Sequence, residues 1–323
     1  MDRSRAASNP FTIPFPNPAF ELNPNNGKVA PRLACAVDGT IIDLMQNPLA
    51  EEMLKVAASL AKEAAEVSLP RMGRTASRRK PDQSVVTETD DLIQSRMVDQ
   101  VTRRYPEHAI IAEETFALAI ELPQPTAARY CWVIDPLDGT RNFVAGFPCF
   151  ATSIAVLDRG QPIVAVVFEH NLGHLYTATA GAGAQLQGRP IQVREPPSHR
   201  DILLGVPSSK DSLTQCVARS WHATNGFVLR NMGSAAMHLA MVASGALSGA
   251  FCKRCKIWDI AAGALLVIEA GGRFSDPFGG SRLPFRLDAD PDEDLPTLAA
   301  APVVHGQLLD SIKSATEQPH ELG

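Results

Sequence analysis

The stretch Trp132-Val133-Ile134-Asp135-Pro136-Leu137-Asp138-Gly139-Thr140 is an apolar run that ends directly in two carboxylates three positions apart. Strand ends are where an α/β scaffold delivers side chains into a crevice. Pro136 fixes the backbone between the acids, so both can turn toward one point. Hard divalent cations need clustered oxygen ligands, and Mg2+ is held by few carboxylates together with water and substrate phosphate. Gly139 lets backbone N–H groups approach an anion, and Thr140 adds a hydroxyl. Taken alone, the segment also reads as an acidic β-turn, because Asp, Pro and Gly are turn residues.

Two further segments weigh against the turn. Ile111-Ala112-Glu113-Glu114 places paired acids just after a buried strand, and Trp258-Asp259-Ile260-Ala261-Ala262-Gly263 places an acid at a helix N-terminus behind a large aromatic. Singly, the first is an exposed loop pair and the second a helix cap. Three acid-bearing strand or helix ends, with a fourth at Asp90, suit a multi-metal phosphoryl site better.

Working outward, Asn47-Pro48 caps and opens a helix in which Met53, Val56, Ala57, Leu60, Ala64 and Val67 recur at helical spacing until Gly73 stops it. Thr89-Asp90 offers the next cap, for a helix to Tyr105 with Ile93, Met97 and Val101 inward. Residues 109–112 and 130–134 read as strands, and 151–157 with 163–168 flank the hairpin signal Asp158-Arg159-Gly160-Gln161. After Pro196-Pro197, a strand at 202–206 starts an alternation with helices over 210–222, 235–245, 259–270 and 303–316. The class is α+β, with helices and antiparallel strands first and an α/β half afterwards. Three parts are expected: a disordered Pro/Asn-rich extension over 1–47, a half over 48–196 carrying most metal ligands, and a half over 197–318 completing the site.

Composition narrows the function. A net charge of -5 gives no general attraction to nucleic acid or anionic membrane. The basic clusters Arg78-Arg79-Lys80 and Lys253-Arg254 read by default as solvated loop charges, the alternative being that one reaches an anionic substrate. Six cysteines in 323 residues do not form a disulfide framework; Cys131 and Cys149 read as small core residues, and Cys252-Lys253-Arg254-Cys255 is a lone CxxC without a second pair for zinc. His170, His174 and His238 read as packing or surface residues, and His305 as the cap or the start of the last helix. No run reaches the ~18 apolar residues of a membrane span, and the polar start argues against a secretory signal, so the expected address is the cytoplasm.

Asp90, Glu113-Glu114, the DPLDGT of 135–140 and the WDIAAG of 258–263, in that order and spacing, resemble the inositol monophosphatase family, the lithium-sensitive, magnesium-dependent phosphatase superfamily. The resemblance runs from about residue 49 to 314 and includes the 80–90 segment, Gly233-Ser234-Ala235 and Glu269-Ala270-Gly271-Gly272. It implies a layered αβαβα sandwich of the sugar-phosphatase type. It implies two or three Mg2+ ions: Glu113, Asp135 and the Leu137 carbonyl for the first, Asp135, Asp138 and Asp259 for the second, Glu113 again for a weaker third. Asp90 and Thr140 would orient the attacking water, and the Gly139 and Thr140 N–H groups would receive the phosphate. Gly233, Ser234 and Ala235 fall where the family's substrate-alcohol loop lies. The implied partners are a small phosphorylated substrate and a second copy in a homodimer, with lithium as inhibitor.

Asp138-Gly139-Thr140-Arg141-Asn142-Phe143 with Gly146-Phe147-Pro148 resembles the inositol monophosphatase branch and some histidinol-phosphate phosphatases. Ser248 stands where many relatives have Asp, and Cys252 where inositol phosphatases often place a polyol-binding glutamate. Inositol-1-phosphate ranks first, then histidinol phosphate, 3'-phosphoadenosine 5'-phosphate and fructose-1,6-bisphosphate. A reading from another class, a non-catalytic sugar-phosphate-binding or interaction protein, rests on the extension and the altered 248–256 segment.

Overall fold

The helical periodicity after Pro48 becomes α1 (Pro48–Ser68), followed by a short 3-10 turn and by Gly73 at φ 68°. The structure is a computed structural model that describes residues 48–80, 83–114, 123–197 and 201–317. The 1–47 extension and the Asn47 cap lie outside the described residues. A small hairpin of β1 (Ser77–Arg79) and β2 (Val85–Thr87) leads into α2 (Glu88–Arg104). The cap of α2 is Thr87, two residues earlier than the sequence suggests: its Oγ1 accepts from the Thr89 and Asp90 N–H groups, while the Asp90 carboxylate takes the Thr87 N–H. Asp90 therefore closes a capping box from inside the first turn.

Then follow β3 (Ala109–Ala112), β4 (Tyr130–Asp138), the single-turn α3 (Thr140–Ala145), and the meander β5 (Ala151–Asp158), β6 (Gln161–Glu169), β7 (His174–Thr179), β8 (Gly183–Leu186) and β9 (Arg189–Ile191). They form a seven-stranded sheet in chain order, parallel only between β3 and β4. The β5–β6 turn has Arg159 and Gly160 both at positive φ, the backbone that matches strand twist. The remaining elements are β10 (Ile202–Gly205), α4 (Ser212–Ala223), β11 (Phe227–Arg230), α5 (Ala235–Ala243), β12 (Gly249–Cys252), α6 (Ile257–Glu269), β13 (Arg273–Ser275), β14 (Thr297–Ala300) and α7 (Pro302–Glu317). Their five strands form a second sheet in the order β11-β10-β12-β14-β13.

Strand alternation sorts the side chains into three cores. Even positions of β4, Trp132 and Ile134, pack with Met53, Leu60, Ile93 and Met97 of α1 and α2. Odd positions, Cys131 and Val133, pack with α5 and α6 on the other face. Beyond the second sheet, Ile202, Leu204 and Phe251 meet Trp221 of α4 and Leu308 and Ile312 of α7. The result is the layered αβαβα sandwich. It explains why α6 is apolar on nearly every side: packed between two sheets, it buries all of 260–267 and exposes Ile268 only at its C-terminal end. His305 lies inside the first turn of α7 rather than at its start, with its Nε2 at 2.9 Å from Ser275 Oγ.

Candidate metal centre

The odd-numbered face of β4 leads Asp135 toward α6. Continued alternation would turn Asp138, an even position, to the opposite face. The register prevents this: Asp135 pairs with Ser153 and Asp138 with Ala151, so three steps of β4 oppose two of β5. This extra residue is a bulge, and it returns Asp138 to the side of Asp135. Asp259, at the third position of α6, completes the group: oxygens of Asp135, Asp138 and Asp259 all lie within 4.8 Å of one another.

Each carboxylate is held. The Leu137 N–H donates to Asp135 Oδ1 at 2.9 Å. Ser234 Oγ and the Ala236 N–H each donate to Asp138 Oδ2 at 2.6 Å. The Lys256 N–H donates to Asp259 Oδ2 at 2.6 Å, so Asp259 also closes the first turn of α6. Burial, then the neighbouring carboxylates, push Asp135 and Asp259 well above the usual carboxylate range. Burial, opposed by the hydrogen bonds from Ser234 and Ala236, leaves Asp138 at about 6. Three acids this close resist simultaneous ionisation. Only protons or a cation relieve them, and an all-oxygen set suits a hard divalent ion.

Next to this group stands Asp90, wholly buried, taking the Thr87 N–H at 2.8 Å on Oδ2 and the Thr140 hydroxyl at 3.1 Å on Oδ1. Burial raises its pKa to about 6. Thr140 Oγ1 also lies 3.0 Å from the Leu137 carbonyl. Gly139, at φ 96°, directly precedes α3 at its N-cap position; a Cβ there would come within 3.1 Å of the Cys149 carbonyl.

Glu113 stands outside the tight group and is ion-paired: Lys80 Nζ lies 2.8 Å from its Oε1 and 2.5 Å from Glu114 Oε1. Lys80 is thus a half-buried partner of the acidic site, not the solvated loop charge the sequence suggests. Burial, then Glu113, raises Glu114 to about 7. The contact of Lys80 with Glu113 spans 33 positions of sequence, and no local pattern announces it. Asn142, part of the branch motif but given no role by the sequence, is a second such residue: its Nδ2 donates to the Cys149 carbonyl at 2.6 Å and the Met232 carbonyl at 2.7 Å. The Met232 N–H donates to His238 Nε2 at 3.1 Å, so the peptide before Gly233 and Ser234 is clamped at both ends. Ala235 follows as the first residue of α5. Cys252 and Cys255 are free thiols; contact with Cys255 and burial push the Cys252 thiol well up, which leaves it a thiol.

The sequence model of the inositol monophosphatase family matches residues 49–317. A Nus factor SuhB of Xylella fastidiosa is 34% identical over 258 residues, covering 77% of this chain and 88% of that protein. A fructose-1,6-bisphosphatase/inositol-1-monophosphatase of Aquifex aeolicus is 30% identical over 238 residues, covering 71% and 88%. Among solved structures, an IMPase of Thermotoga maritima superposes with a TM-score of 0.71 at 27% identity, covering 82% of this chain and 98% of that one.

Proposed function

Because the chain belongs to the inositol monophosphatase family, we propose that it is a Mg2+-dependent phosphatase hydrolysing a small phosphate monoester, inositol-1-phosphate first among candidates. The observation that carries this reading is the group Asp135, Asp138 and Asp259, drawn within 4.8 Å at the ends of two different elements. With Glu113 and the Leu137 carbonyl, these oxygens would hold two or three ions. When bound, such ions lower the pKa of water and neutralise charge on phosphoryl oxygens.

The chain's own groups supply orientation and proton handling. The Thr140 hydroxyl hydrogen is committed to Asp90 Oδ1 or the Leu137 carbonyl. Its oxygen is then free to accept from an attacking water, and Asp90 Oδ1 can take the proton that Thr140 passes on. The N–H groups of Gly139 and Thr140 would receive the phosphate, and Gly233, Ser234 and Ala235 the alcohol. Ser234, fixed on Asp138, ties alcohol recognition to the acid cluster. The family likeness implies a homodimer, and the sequence reading an address in the cytoplasm; among the described residues no helix is long and apolar enough to cross a membrane.

The test is phosphate release from inositol-1-phosphate, histidinol phosphate, 3'-phosphoadenosine 5'-phosphate, fructose-1,6-bisphosphate and glycerol-2-phosphate, with and without Mg2+ and with added Li+. Magnesium-dependent turnover that lithium suppresses supports the class, and the preferred ester names the branch. No release from any ester, with Mg2+ bound, sinks it in favour of a second reading. That reading is action by association, and its support is the name Nus factor borne by relatives such as the Xylella protein.

A further inference from the structure

The bulge that puts Asp135 and Asp138 on one side leaves the Pro136 carbonyl without a place in the β4–β5 ladder. A buried carbonyl needs a donor, and Thr152 of β5 supplies it: its Oγ1 donates to the Pro136 carbonyl at 2.8 Å. A hydroxyl has one hydrogen. The contact of 2.9 Å between Thr152 Oγ1 and His170 Nε2 therefore has the histidine as donor. His170 then bears its hydrogen on Nε2, and Nδ1 accepts from Ser68 Oγ at 2.7 Å, much nearer than the Ala65 carbonyl at 3.4 Å. Ser68, Thr152 and His170 are 0%, 0% and 2% exposed, so water does not compete for these bonds. Burial lowers the imidazole pKa to about 3, in keeping with a neutral ring, and Phe150 stands edge-on to it with centroids 5.1 Å apart.

The geometry points to His170 as a positioning residue for the metal centre: a one-directional relay, Ser68 to His170 to Thr152 to the Pro136 carbonyl, locks the bulge that aims Asp135 and Asp138 at a common ion. The relay joins the C-terminal end of α1 to the strand end bearing the acids. Outer hydrogen bonds that orient metal ligands contribute roughly 10- to 100-fold to metal affinity. This inference rests on the metal reading above and adds to it which residues outside the carboxylate group set its geometry.

The experiment measures Mg2+ binding to metal-free full-length protein by calorimetry, beside thermal melting, for wild type, Thr152→Val, His170→Asn and His170→Gln. Thr152→Val keeps volume and removes the donor to Pro136. The Asn amide falls short of Thr152, whereas the Gln amide reaches the Nε2 position and can donate. The expected result is that Thr152→Val and His170→Asn weaken Mg2+ binding roughly 10- to 100-fold while His170→Gln stays within about threefold of wild type. Unchanged affinity in Thr152→Val, whatever its melting temperature, overturns the relay, and so does a His170→Gln variant as weak as His170→Asn. If His170→Asn does not fold, Thr152→Val decides alone. A wild type that binds no Mg2+ overturns the metal reading and this inference together.

Discussion

Ser234 Oγ donates a hydrogen bond of 2.6 Å to Asp138 Oδ2 across 96 positions of sequence. One side chain caps α5, accepting from the Met237 N–H, and at the same time holds a carboxylate delivered by β4. The second sheet's layer is thereby fastened to the strand end that carries the acids. Ser234→Ala leaves Asp138 with the Ala236 N–H and removes the cap of α5, an expected loss of about 1 kcal/mol of stability. Melting should report this, together with weaker Mg2+ binding. Unaltered binding would separate Ser234 from the metal centre.

Asp135→Asn removes one of three crowded carboxylates. Turnover should fall at least ~100-fold, beyond what outer positions achieve. Metal-free stability should hold or rise, because a like-charge contact disappears. Near-normal rates of phosphate release would refute Asp135 as a ligand.

Protons and cations compete for these oxygens. The raised Asp138 pKa of about 6 means that the metal-free native state holds a proton up to that pH, one that the unfolded chain releases near pH ~4. That group favours the fold most at low pH, and its contribution is lost as pH rises through the folded value. Mg2+ affinity moves the opposite way, strengthening as pH rises through about 6. Calorimetry from pH 5 to 8 is the check, and a flat profile would exclude the aspartates as ligands.

Lys80 occupies the anionic edge of the site with its ammonium on Glu113 and Glu114. Lys80→Met should tighten Mg2+ binding by removing a competing cation. It should also lower metal-free stability by roughly 1–3 kcal/mol, since Glu114 is left buried without its partner. The loss should be greater above pH 7 than below, because Glu114, at about 7, escapes by protonation at lower pH. Binding that weakens instead would make Lys80 a support of the site rather than a competitor.

Gly263 lets α6 approach α5: a Cβ there would lie 2.5 Å from Leu239 Cβ. Gly263→Ala should therefore cost about 1–3 kcal/mol through overpacking, despite alanine's better helix propensity. A melting temperature equal to wild type would show that the two helices can part freely.

The sequence alone settled what local chemistry settles. The short apolar run of 130–134 and the 3.6-residue repeat after Pro48 point to a strand and a helix from local sequence, and the Arg159-Gly160 turn follows from backbone sterics. The acids were legible because they end those elements, and order and spacing carried the family likeness. The tertiary structure decided the rest, because it depends on partners far apart in the chain. The spacing of Asp135 and Asp138 gives opposite faces on a regular strand; the bulge against β5 reverses that. Thr89-Asp90 looks like a cap until Thr87 is seen to accept from both N–H groups. Lys80 reads as a solvent-facing charge until folding brings β1 and the end of β3 together, and His170 as packing until Ser68 and Thr152 close on it. Periodicity and turn chemistry are short-range and written residue by residue, whereas ion pairs, bulges and hydrogen-bond relays exist only once burial has removed water as the competing partner.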